Sequence, residues 1–149
     1  MPEPSASGAT PPASRSGPGR VLVAVYAIFA LAATARAAVQ IATRFEEAPL
    51  AYLLSALAGL IYIVATVGIA RAGRTSHRVA VVACAVELAG VLAVGTASVF
   101  EPALFPDDTV WSRFGSGYLF IPLVLPVLGL LWLGHVNRRE SRWAGQPPR

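Results

Sequence analysis

The chain has 149 residues, 55% of them hydrophobic and only 13% charged, with a net charge of +4 and a mean hydropathy of +0.60. So little polar residue cannot cover a soluble globule of this size, which excludes that class and points to a lipid bilayer as solvent. The positive charge is all arginine and lies in short segments between apolar runs, the pattern of membrane topology and not of nucleic-acid binding.

Residues 1–19 are mostly Pro, Ser, Gly and Ala with almost nothing to bury, so they read as a disordered N-terminal tail. Four apolar runs come next within a membrane domain over residues 20–137, with spans at about 21–41, 50–70, 79–99 and 118–136. Each is long enough to cross a bilayer as a helix at about 1.5 Å per residue. The first run has a competing reading as a signal peptide, since Ala35-Arg36-Ala37 forms an A-x-A pattern behind a charged, then apolar, stretch. Apolar character continuing past Ala37 favours an uncleaved anchor. Pro49 suits the first turn of the second helix, where a missing N–H costs nothing. Along that helix Ser55, Gly59, Tyr62 and Thr66 recur at helical spacing and form a small, polar packing stripe. The longest connection, residues 100–117, is rich in proline and aromatics. The fourth span is interrupted by Pro122 and Pro126, and residues 138–149 read as a polar tail.

Arginine counts set an orientation. Arg15, Arg20, Arg71, Arg74, Arg78, Arg138, Arg139, Arg142 and Arg149 fall on one side of a four-span chain, against Arg44 and Arg113 on the other. The positive-inside rule then puts both termini in the cytoplasm of a multi-pass protein of the cell (inner) membrane. Glu101, Asp107, Asp108, Trp111 and Arg113 thereby become the candidate functional residues of the outer loop. Asp108 or Thr109 is expected to cap a short interfacial helix running toward Trp111. Trp111, Phe114, Tyr118 and Trp132 suit interfacial positions or packing against neighbours.

The sharpest feature is Glu87, the one ionisable residue within residues 79–99. A charge near the middle of a span costs roughly 2.5–3.5 kcal/mol on insertion scales, so such a carboxyl turns inward and finds a partner. Counted from the ends of their runs, Glu87 and Tyr62 share a depth of about 12 Å, which makes Tyr62 the expected hydrogen-bond partner. Arg36, about 22 Å along the first run, leans toward Glu87 if the two helices are parallel neighbours. Against an Arg36–Glu87 ion pair stands the desolvation cost of burying it. The favoured alternative sends Arg36 to the outer headgroups and leaves Glu87 protonated, bonded to Tyr62 or a backbone carbonyl. Gln40 is the other polar group that the first span offers the interior.

Catalytic and cofactor chemistry finds no foothold. Cys84 is the only cysteine, which excludes internal disulfides, C-x-x-C pairs and cysteine zinc clusters, and inside a span it reads as a packing residue. His77 and His135 both fall near the arginine-rich boundary and cannot clamp a haem in the bundle core. Glu101, Asp107 and Asp108 lack the spacing of a calcium loop. Ser55, Ser112 and Ser116 have no activating His or Lys at a useful spacing. No cofactor, no metal and no enzymatic activity are expected.

The runs Phe45-Glu46-Glu47-Ala48-Pro49-Leu50-Ala51-Tyr52-Leu53-Leu54-Ser55 and Asp108-Thr109-Val110-Trp111-Ser112, with Phe114-Gly115, Gly117-Tyr118 and Phe120-Ile121-Pro122-Leu123-Val124-Leu125-Pro126, resemble a group of uncharacterised actinobacterial four-span integral membrane proteins. That resemblance implies the four-helix membrane architecture and a bacterial inner-membrane home, and no activity. The absence of Lys beside abundant Ala, Arg, Gly and Pro matches the residue bias of a GC-rich bacterial genome.

The expected fold is therefore all-α, a four-helix transmembrane bundle with both termini cytoplasmic and left-handed packing. The expected function is non-enzymatic association, through the outer loop and polar interior, with a membrane-protein partner or in a homo-oligomer. The alternative is a proton- or ion-coupled small-molecule transporter working as an oligomer through Glu87. Such a transporter would resemble the small multidrug-resistance exporters in outline only, because their membrane carboxylate lies in the first helix.

Overall fold

A computed structural model describes residues 17–147. Four long helices account for most of these residues, α1 (Gly17–Arg44), α2 (Pro49–Ala70), α3 (Arg74–Phe100) and α4 (Ile121–Ala144), and there is no strand among them. All four are long and apolar enough to cross a membrane. Each packs against the next in sequence, and α1 meets α4 over a short stretch that closes the ring.

The buried positions explain the packing. They run 22, 26, 30, 33, 37 and 40 on α1, 51, 55, 58, 62, 65 and 69 on α2, and 80, 84, 87, 91, 94 and 98 on α3. Steps of four and three residues recur along each helix, the spacing that keeps one stripe of a helix facing its neighbour. Small residues occupy these seams, so the backbones approach closely. A methyl group on Gly59 would lie 2.7 Å from Thr34 Oγ1 and 3.1 Å from its backbone nitrogen, and one on Gly68 would lie 3.0 Å from the backbone nitrogen of Ala80. The opposite faces carry large exposed apolar side chains, among them Leu31, Leu60, Val82 and Leu131, as a lipid-facing surface requires.

Local chemistry sets the helix ends. Pro49 opens α2 at its first turn. The α2–α3 turn closes through Gly73, whose φ of 115° suits a residue without a side chain. Pro102 stops α3 at Phe100. Pro126 sits inside α4 and frees the carbonyl of Pro122 from its helical bond.

Several expected boundaries move. α1 starts at Gly17, inside the segment that reads as a tail, and the rest of that segment lies outside the described residues. α3 starts at Arg74, because an arginine-bearing first turn extends as readily into the interface as an apolar one. The fourth helix begins at Ile121 and not at 118, since Leu119 and Phe120 adopt left-handed φ values of 56° and 59°. It then continues to Ala144, taking in residues 138–144 of the expected polar tail. Arg138, Arg139, Glu140 and Arg142 are good helix formers and propagate a helix already nucleated in the membrane.

Candidate functional site

Glu87 is fully buried on the α3 seam and accepts a 2.9 Å hydrogen bond at Oε2 from the Tyr26 hydroxyl of α1. The same hydroxyl lies 3.4 Å from Cys84 Sγ, one turn away on α3. Oε1 of Glu87 has no hydrogen-bond partner among the described residues. The hydrogen-bond partner expected for Glu87, Tyr62, is therefore corrected. Tyr62 does not bond to it: its hydroxyl accepts from Trp111 Nε1 at 3.2 Å. Arg36 does not pair with it either, and binds the α3–α4 connection, the expected outer loop, instead, through Nη1 to the Tyr118 hydroxyl and Nη2 to the Asp108 carbonyl at 3.3 Å.

The reason is the direction in which helical side chains lean. Each leans toward its own helix N-terminus. α1 and α3 run parallel, so Glu87 leans the same way as Arg36 and the gap between them stays open. Tyr26, nearer the start of α1, lies where Glu87 leans. α2 runs antiparallel, which carries the Tyr62 hydroxyl away from Glu87 and toward the outer loop.

The outer loop is folded into the bundle. Thr109, Val110, Trp111 and Ser112 are buried in succession, and Trp111 is only 2% exposed. Its ring lies against Gly90 of α3, where an added methyl would stand 2.8 Å from the ring carbons. Of the two readings open to Trp111, an interfacial position or packing against neighbours, the structure has the second, between α2 and α3. Glycine at position 90 leaves the room, and Tyr62 supplies the acceptor that a buried indole N–H needs. The expected cap is not formed: the segment that follows opens at Trp111 without a side-chain cap, and Thr109 Oγ1 instead accepts from the Trp111 N–H at 3.0 Å while Ser112 Oγ accepts from the Thr109 N–H at 2.8 Å. The segment Ser112–Tyr118 is a tight coil and not a regular helix, with Arg113, Phe114 and Gly115 in left-handed conformations.

No protein-family model, curated protein or solved structure matches the chain.

The remaining candidates divide between anchors and free surface. Gln40 Nε2 donates to Asp107 Oδ2 at 3.3 Å, and the Tyr52 hydroxyl donates to the same oxygen at 3.2 Å. Oδ1 of Asp107 accepts from the Asp108 N–H at 2.9 Å. Asp107 thus ties α1 and α2 to the loop through neutral donors. Arg113 takes part through its backbone, whose N–H donates to Ser98 Oγ at 2.7 Å. Glu101, Asp108 and Arg113 are exposed. Among the described residues no three of His, Cys, Asp and Glu gather so as to hold a metal ion.

Sequence reasoning missed Tyr26, Tyr52, Ser98 and Phe29. Phe29 makes edge contacts with both Tyr62 at 5.9 Å and Tyr118 at 6.1 Å between ring centres, and Tyr26 and Tyr62 are 6.2 Å apart. An aromatic ladder thereby joins the outer loop to the Glu87 layer. The available signal was the seam itself, since Tyr26 falls in step with Ala30, Ala33 and Ala37.

Proposed function

We propose that the chain is a non-enzymatic integral protein of the bacterial inner membrane, with both termini cytoplasmic, that acts by associating with a membrane-protein partner or a second copy through its outer loop. The likeness to uncharacterised actinobacterial four-span membrane proteins belongs to the same reading. One observation carries it: Arg113, Phe114, Leu119 and Phe120 all hold left-handed backbone conformations, with φ between 49° and 61°. Non-glycine residues in that region cost on the order of 1 kcal/mol or more each and persist only where the surroundings enforce them. The enforcement comes from Trp111, Arg36, Asp107 and Ser98, and it presents Leu119, 83% exposed, with Phe120, Phe100 and Leu104 also exposed. Apolar side chains fixed on an ordered surface are what a protein partner recognises.

Photocrosslinking tests this in intact membranes. A benzophenone residue at Leu119 should yield a protein adduct, to a partner or to a second copy. The same residue at Leu31, 74% exposed on the outside of α1, should yield lipid only. Lipid adducts alone at both positions would overturn the proposal. The transport alternative needs an aqueous route to Glu87. Association is favoured over it because that residue lines neither the furrow between α2 and α3 nor the cleft at the α2–α3 turn. A pH-driven flux in reconstituted vesicles that Glu87→Gln abolishes would reverse this preference.

A further inference from the structure

Two clefts meet at Arg78. One, of about 650 Å³, opens where α2 turns into α3, lined by Arg71, Arg74, His77 and Arg78 and faced by Asn137 and Glu140 of α4. The other, of about 360 Å³, is a furrow between α2 and α3 on the apolar outside of the bundle, formed by Leu60, Val64, Val79, Val82 and Val86 with Arg78 at its end.

The first cleft is built for an anion. Arg71, Arg74 and Arg78 make no ion pair among the described residues, and Glu140 is the single acid in the lining. The first turn of α3 adds to this, because it holds no acidic residue and Gly73 provides no side-chain cap. Its free N–H groups contribute partial positive charge. Guanidinium groups match phosphate oxygens in pairs, and basic pockets at the ends of membrane helices suit lipid headgroups. The second cleft settles the source of the phosphate. It starts at an arginine of the first and runs about 10 Å into the apolar zone between Val79 and Val86, a course a soluble anion cannot use and an acyl chain can.

We propose that the two clefts form one binding site for a single anionic glycerophospholipid, its phosphate held by Arg71, Arg74 and Arg78 and one acyl chain laid in the furrow between α2 and α3. The test is native mass spectrometry of the full chain in a non-ionic detergent, with phosphatidylglycerol, phosphatidylcholine and inorganic phosphate as probes. Phosphatidylglycerol should be retained at one per chain and at least ten-fold more tightly than phosphatidylcholine. The Arg74→Gln/Arg78→Gln variant should lose ten-fold or more. Arg138→Gln/Arg139→Gln removes the same charge outside both clefts and should stay within two-fold of the parent. Val82→Trp, at a position 60% exposed and clear of the core, should fill the furrow and weaken the lipid without changing phosphate retention. This arm also decides the matter if the arginine variant fails to fold.

Equal retention of the two lipids would mean unselective annular lipid and overturn the site. Equal losses in the two arginine pairs would reduce it to diffuse attraction. Full lipid retention in Val82→Trp, with phosphate competing, would make it a soluble-anion site and not a lipid one.

Discussion

Replacing Tyr26 by phenylalanine removes one oxygen and almost no volume, yet it takes away the one donor to Glu87 Oε2 among the described residues. A buried polar group left unpaired costs about 1–3 kcal/mol, whereas replacing both partners by apolar groups of similar shape costs little. Tyr26→Phe should therefore lower the unfolding midpoint in a denaturing-detergent titration, and Tyr26→Phe/Glu87→Leu should regain most of the loss. Glu87 itself was legible in the sequence, because a lone carboxyl in an apolar run must turn inward whatever surrounds it. Its partner was not. Depth along a helix can be counted from the sequence, but the choice among Tyr26, Tyr62 and Arg36 depends on which way each side chain leans once the helices are placed side by side.

At the scale of elements, the glycines and Trp111 hold the helices and the loop in register. Gly59→Ala brings a methyl within 3.1 Å of the Thr34 backbone nitrogen, and overpacking of this kind costs about 1–3 kcal/mol. Thermal unfolding in detergent should show it as a lowered midpoint. Trp111→Ala empties a seat between α2 and α3 and strands the Tyr62 hydroxyl. Loss of a buried aromatic costs about 3–5 kcal/mol, and the outer loop should become cleavable by a protease that leaves the parent intact. The four helices were readable from composition and length alone, since lipid demands backbone bonds satisfied within each segment. The loop was not readable, because its path rests on left-handed φ values at Arg113, Phe114, Leu119 and Phe120 and on a tryptophan entering the bundle, neither of which leaves a local pattern.

For the whole molecule, orientation is the property open to direct measurement. Cys84 is the only cysteine in the chain and is buried, so the parent protein should react little with an impermeant thiol reagent. In intact cells a cysteine placed at Ala103 should be labelled and one at Thr75 should not; the reverse result would invert the topology. The seat of Trp111 also has a bearing on biosynthesis. Its walls come from α2 and α3, and the coil behind it abuts Pro122 at the head of α4, where a methyl on Gly115 would meet the proline ring at 2.8 Å. The hairpin of α1 and α2 needs only neighbours already synthesised, so it can zip shut early. The coil above it must wait for α4 to leave the translocon, and a nascent chain stalled on the ribosome ahead of α4 should carry Trp111 unseated, with emission red-shifted from that of released protein in which Trp132 and Trp143 of α4 are replaced by phenylalanine.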